Sequence, residues 1–320
     1  MSEIQGLLEE TSRTFALSIP LLPEPLLGRV SVAYLLFRIA DTLEDETSIP
    51  ASDRALALRT VADAADNPGA FSGSLSALLG GLEISTDHDG YDRLMRHAGP
   101  VLAAFDELDA EAKGTVALHL GRTCRGMSEH VAAGSHPENL EQLRAYCYTV
   151  AGIVGDLLTE LFVSAIPMKD DAHQRLAELA PLFGEALQLV NILRDEHDDA
   201  RSDRRYVPVG AERAPLVALA ASDLRAAGEY IRLLETHGAD PGIVAFNGVN
   251  AMLAVETLAL VAIHGPGVKL ERPEVRKLVS DVRKGSMDPE SSVGSMVIAA
   301  LDAACLDADT GVSAGDRPRG

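Results

Sequence analysis

Two short stretches carry acids at the same spacing. FRIADTLED (37–45) holds Asp41, Glu44 and Asp45, and ILRDEHDD (192–199) holds Asp195, Asp198 and Asp199. Offsets of i, i+3 and i+4 place the carboxylates of each set on one helix face, about a turn apart. Like charges at that distance repel, and both sets close an apolar run, where the helix dipole also disfavours negative charge. Either water solvates these helix ends or a cation offsets the repulsion. Oxygen-only ligands suit Mg²⁺, which keeps several waters and often completes its octahedron with substrate phosphates. Asn191 adds a neutral oxygen one turn before Asp195. Two such clusters on helices facing across a bundle would make a cage of oxygen ligands. Arginines accompany both: Arg38 lies three residues before Asp41, Arg194 directly precedes Asp195, and Arg204 and Arg205 follow the second set. A guanidinium offers a planar fork of donors for phosphate oxygens. An ion pair with the neighbouring acids is the plainer role for each.

The elements that must position these groups are helices. Apolar residues recur at three and four through VSVAYLLFRIADTL, ALALRTVADAA, LQLVNILRD and AVETLALVAI. Ala and Leu are plentiful while aromatics make up 4%, so composition disfavours strands. Breaks at Pro20 to Pro25, Asn67 to Gly69, Asp87 to Gly90, Gly134 to Pro137, Ile166-Pro167, Val207 to Gly210, Gly238 to Gly242 and Gly265 to Gly267 predict about ten helices. No compositional linker interrupts them. The expectation is an all-α, single-domain multi-helix bundle over 1–306, with a polar, disordered tail at 307–320.

Charge and cysteines narrow the partners. The chain carries 48 acids against 28 bases, a net −20, which argues against nucleic acid and against attraction to anionic membranes. Cys124, Cys147 and Cys305 form no C-x-x-C pair, as expected of small buried thiols in a reducing compartment. MSEIQGLLEE lacks the pattern of a signal peptide. The most apolar run, 251–267, contains Glu256 and breaks at Gly265-Pro266, short of the ~20 residues that a spanning helix needs. The expectation is a soluble, cytoplasmic protein with at most peripheral membrane association. Its oligomeric state is not legible.

Ordered along the chain, the motifs resemble those of the squalene and phytoene synthases, and within that family the squalene synthases most closely. SRTFALSIPLLP (12–23) is similar to the family's N-terminal Ser-Arg-x-Phe segment, and YLLFRIADTLEDE (34–46) to its first acid motif. CRGMSEHV (124–131) and YCYTVAGIVGDLLTELF (146–162) resemble the central helices, and LQLVNILRDEHDDARSDRRYVP (187–208) the second acid motif with its trailing Arg-x-aromatic-x-Pro. The resemblance implies an isoprenoid-synthase fold with a central cavity. It implies Mg²⁺ held by Asp41, Glu44 and Asp45, and by Asn191, Asp195 and Asp199 with Asp198 between them. It implies diphosphate binding by Arg13, Arg38, Arg194 and Arg204, and cavity positions for Phe15, Tyr34 and Gln188. Tyr146 matches a tyrosine that assists the first half-reaction as an acid–base group or through its π face. The implied reaction is head-to-head condensation of two farnesyl diphosphates to presqualene diphosphate, followed by NADPH-dependent reduction to squalene.

Some segments depart from that pattern. DEHDD carries Asp198 where the family often has Glu, and His197 within it is expected to face solvent. FNGVNAMLAVETLAL (246–260) resembles the late cavity helix only loosely, with Asn247 and Asn250 in less polar positions. RPEVRKLVSDVRKG (272–285) corresponds either to the segment linked with NADPH or to a plain surface helix. No G-x-G-x-x-G follows a strand, so no Rossmann site is expected. Products that skip the reduction (presqualene diphosphate, dehydrosqualene or phytoene) remain alternatives, as does a non-catalytic relative serving as an assembly factor.

Overall fold

Helices occupy each of the apolar-periodic runs, and no strand occurs among the described residues. The computed structural model describes residues 2–12, 14–82, 84, 86, 88–134, 136–201, 204–304 and 306. The predicted tail at 307–320 lies outside them. The predicted breaks fall between helices or at their first turns: Asp89-Gly90 and Pro241-Gly242 open helices, and Pro20 lies in a 3-10 turn. The estimate of about ten helices is low, because the N-terminal part contains short helices that periodicity does not separate: α2 (Phe15–Ser18), α5 (Phe71–Gly80), α6 (Asp89–Arg96) and α7 (Gly99–Glu107).

The chain forms two compact units, Met1–Ser135 with Ile153–Pro167, and His136–Gly152 with Met168–Gly320. The expectation of one domain over 1–306 rested on the lack of a linker. The chain passes from unit to unit at 135–136, 152–153 and 167–168; the second passage lies between a π-helical turn (Tyr148–Gly152) and α10 (Ile153–Val163), where composition changes little.

In the first unit α3 (Leu26–Asp45) is the carrier of chemistry. Leu35, Leu36, Ile39, Ala40 and Leu43 are buried, which holds its C-terminal turns in place while the acids point out of the core. It packs against α1 (Ser2–Thr11), α6, α7, α4 (Ala51–Ala65) and α8 (Ala110–Ala133). Asp109 caps α8 by accepting from the Ala112 N–H, and Gly134 ends it at φ +58, a conformation that favours glycine. Ser128 donates to the Ala55 carbonyl at 2.7 Å, tying α8 to α4.

In the second unit the carrier is α11 (Asp170–Arg201), which contains Pro181. Its neighbours are α9 (Leu140–Cys147), the π-helical turn, α12 (Arg213–Thr236) and α13 (Pro241–His264). The approach to the turn is very close: a Cβ on Gly184 would meet the Ala151 carbonyl oxygen at 2.1 Å, so only glycine fits. The small residues around Ala151 and Gly152 therefore serve helix packing. The chain closes with α14 (Arg272–Met287) and α15 (Val293–Ala304).

One expectation about membranes needs correction. Counted over 251–267, the apolar run is too short to span. The helix instead begins at Pro241, where Asp240 caps it, and reaches 24 residues. Leu140–Val163, Asp170–Arg201 and Pro241–His264 are all long and apolar enough to cross a membrane by length and composition. For Pro241–His264, 72% of the apolar window is buried inside the protein, as befits a core helix apolar on most sides.

Candidate functional site

The first acid set sits on the last turns of α3 and is held from three sides. Arg38 pairs with Asp41 at 3.2 Å and donates to the Tyr34 hydroxyl at 3.3 Å. Its guanidinium lies 5.6 Å from the centroid of Tyr34 and 5.3 Å from that of Tyr91, which α6 supplies. Tyr34 is fixed in turn, donating to the Thr11 carbonyl at 3.1 Å and contacting Phe15 at 5.4 Å between ring centroids. Arg54 of α4 donates to the Glu44 carbonyl, placing a cation at the negative end of α3. The Nε atoms of Arg38 and Arg54 are buried without a hydrogen-bond partner. Glu46 stays outside the set and accepts from the Ser48 N–H at 2.9 Å.

Electrostatics in this region follow from burial. Although 32% of the Asp41 side-chain surface is accessible, the surrounding protein pushes its carboxyl up to about 6. Arg38 opposes that rise and Asp45 adds to it. Burial works against the charge on Arg38, but Asp41, Tyr34 and Tyr91 together hold its guanidinium more firmly protonated than usual. Burial, then the charges of Asp41 and Glu44, raise the Cys124 thiol, which remains a neutral packing group.

The second set sits on the last turns of α11 and is held by neighbours in sequence. Arg194 grips Asp195 with two bonds, 2.7 and 2.5 Å. Arg201 pairs with Asp198 at 2.7 Å and Arg204 with Asp199 at 3.5 Å. Arg213, opening α12, takes Glu196 at 2.6 Å. The chain after α11 folds back on the unit: the Arg204 N–H donates to the Asp199 carbonyl at 2.9 Å, and Tyr206 stacks on Tyr146 with centroids 4.9 Å apart. Tyr146 is buried, Gln188 is half-buried, and Asn191 and His197 are exposed, the last as expected.

A family model described as squalene/phytoene synthase matches residues 8–211. The chain belongs to that family. Within it, the chain is 30% identical over 206 residues to a probable squalene synthase of Neurospora crassa, covering 63% of this chain and 40% of that protein. It is 28% identical over 205 residues to a squalene synthase of Gibberella zeae, covering 62% of this chain and 41% of that one. The chain thus spans about two fifths of the length of these curated relatives. A solved complex of TcSQS with the ligand BPH1237 shares the all-α fold, with a TM-score of 0.75 and 22% identity over 99% of this chain and 93% of that one.

For this family member, the structure brings Phe15, Tyr34, Arg38 and Asp41 into one contact network, and Arg194, Asp195, Asp198, Asp199 and Arg204 into a string of ion pairs. Arg13 lies outside the described residues. Among the described residues no group of three or more His, Cys, Asp or Glu side chains converges tightly enough to hold a metal as it stands, and arginines engage Asp41, Asp195, Asp198 and Asp199. The donor set still fits Mg²⁺ in kind: carboxylates on one helix face, with guanidinium groups beside them.

Residue spacing missed several contributors. Arg54 and Tyr91 reach the first set from other helices, and nothing in their local sequence marks them. Tyr206 carried a signal, the aromatic position in DRRYVP. A further buried group lies away from the acid sets. Arg144 of α9 binds Glu185 of α11 through Nε and Nη2, at 2.6 and 3.0 Å, near Asp223 of α12. Asp223 is 5% exposed, its Oδ2 is buried without a hydrogen bond, and burial followed by the Glu185 charge pushes its carboxyl up to about 7.

Proposed function

We propose that the chain is a Mg²⁺-dependent prenyltransferase that condenses two farnesyl diphosphates head to head to presqualene diphosphate and reduces that product with NADPH to squalene. The observation that carries this reading is the pair of matched acid sets, each ending a buried helix and each already gripped by arginines. Family membership and the squalene synthases among its relatives support it.

The ion pairs have a simple chemical use. Arg38, Arg194 and Arg204 hold their forks beside the acids, and an arriving diphosphate offers them a stronger, more highly charged acceptor. Carboxylates released by that exchange become ligands. Mg²⁺, when bound, would neutralise the leaving diphosphate as a Lewis acid. Asp41, Glu44 and Asp45 would be the Mg²⁺ ligands on α3, and Asn191, Asp195, Asp198 and Asp199 those on α11. Departure of diphosphate leaves an allylic cation at C1, which the double bond of the second chain attacks. A proton is then lost as the cyclopropane closes. Tyr146, buried against Tyr206, either takes that proton or faces the cation with its ring. Phe15, Tyr34 and Gln188 would line the prenyl chain, and apolar walls would keep water from trapping the cation as an alcohol.

A second reading is a product that stops at presqualene diphosphate, dehydrosqualene or phytoene. The amides of Asn247 and Asn250 donate to carbonyls of their own helix, at 2.9 Å each. We further read the protein as working in a reducing cytoplasm, in keeping with the free thiols of Cys124 and Cys147.

The deciding experiment is incubation with farnesyl diphosphate and Mg²⁺, with and without NADPH, followed by product analysis. Squalene formed only with NADPH is expected. Presqualene diphosphate in both arms would remove the reductive step, and no turnover of any prenyl diphosphate would refute the reading.

A further inference from the structure

On a chain with a net charge of −20, α14 concentrates bases. At about 100° per residue, Arg272, Arg283 and Arg276 fall within a narrow arc of its surface, and Lys284 and Lys277 lie beyond them on the same side. All five are exposed, whereas Val282 on the opposite side is buried against the unit. The acids Glu274 and Asp281 stand at the flank, where Asp281 approaches Lys277 only to 3.8 Å. Arg272, Arg276, Arg283 and Lys284 form no ion pair among the described residues, while Arg29, Arg38, Arg144, Arg175, Arg194 and Arg213 are all paired. In the middle of this basic stripe the helix places Met287, 68% exposed.

We propose that this face of α14 docks the protein onto anionic phospholipid membranes. Net charge does not forbid it. At physiological salt the Debye length is about 8 Å, so a lipid surface senses the nearest helix face and little of the acids beyond. Unpaired cations on a convex, preformed helix suit a flat sheet of phosphates. An acidic protein would not call for an exposed thioether among the charges. Cations around one apolar side chain match a helix lying in the headgroup layer with Met287 dipping towards the acyl boundary. The capping box at Glu271 and Glu274, with Pro in the first turn, keeps the helix formed without a partner. The inference stands apart from the proposed reaction and survives its failure.

Vesicle co-sedimentation of the full chain tests it. The protein should pellet with vesicles containing phosphatidylglycerol at low salt, stay in solution with pure phosphatidylcholine, and be released at high salt. Each basic side chain near an anionic surface strengthens binding about fivefold, so a variant combining Arg276→Gln, Arg283→Gln and Lys284→Gln should bind roughly a hundredfold more weakly. Met287→Ser should weaken binding severalfold and leave its salt dependence unchanged. Unaltered melting temperatures will show that these exposed substitutions leave the fold intact. Three results overturn the proposal: wild-type protein that ignores phosphatidylglycerol vesicles, a triple variant that binds as wild type does, or retention on heparin without vesicle binding. The last would assign the face to a soluble polyanion.

Discussion

The ends of α3 and α11 carry the same acid spacing and are built in opposite ways. Around α3 the supports come from elsewhere in the chain: Tyr91 from α6, Arg54 from α4 and the Thr11 carbonyl from α1. Around α11 they come from Arg194, Arg201 and Arg204, in or just beyond the same helix. The first set is thus preorganised by packing and the second by local sequence. Packing isolates Asp41 enough to raise its carboxyl. A group locked by several helices is less able to adjust to substitution than one held by flexible local pairs.

Four substitution experiments would break or sharpen this contrast. The largest effect is expected from the shared function of both ends. Asp41→Asn and Asp195→Asn should each lower kcat for farnesyl diphosphate by about a thousandfold or more, because each removes an anionic ligand for the Mg²⁺ that would neutralise the leaving diphosphate. Near-normal turnover in either would remove that end from the site. Arginine substitutions should separate the two ends. Arg38→Lys forfeits contact with two rings and should reduce kcat/KM by about a hundredfold, against about tenfold for Arg194→Lys. Equal losses would show that the aromatic cage adds nothing.

A smaller effect is expected at Tyr91. Its replacement by Leu should lower kcat/KM by about tenfold through misplacement of Arg38, with Tyr91→Phe restoring most of it because the ring face remains. A phenylalanine variant as poor as leucine would assign the effect to the hydroxyl instead.

The smallest effect on turnover, and a clear one on stability, is expected at Asp223, away from the acid sets. Arg144, Cys147 and Glu185 surround it, and its folded pKa of about 7 exceeds the unfolded value. Between those values the folded state binds more protons than the unfolded one, so stability declines as pH rises from about 4 towards 7 and is level above. Asp223→Asn should abolish that decline and raise stability at pH 8 by roughly 1–3 kcal/mol, read from denaturant unfolding at several pH values. A variant with the wild-type slope would place the titration elsewhere.

Much of this was legible in the residues. Breaks at proline and glycine clusters recovered the long helices, since these residues interrupt helical periodicity wherever they sit. Short helices were missed because a single turn or two leaves no periodic pattern. The apolar span at α13 was underestimated because its first turns mix Asn247 and Asn250 into the run, and those amides satisfy themselves on their own helix. The ordered motifs carried the family, which the match over 8–211 established.

The amino-acid sequence by itself determined the helical class, the matched acid sets and the arginines beside them, since i, i+3 and i+4 offsets define one face whatever the helix packs against. Only the tertiary structure decided which distant side chains stand behind each set. Tyr91 and Arg54 meet α3 through contacts between helices, and Arg144, Glu185 and Asp223 become a buried group only when α9, α11 and α12 assemble. Burial and charge proximity depend on what other segments bring near, and residue spacing along one helix cannot encode that.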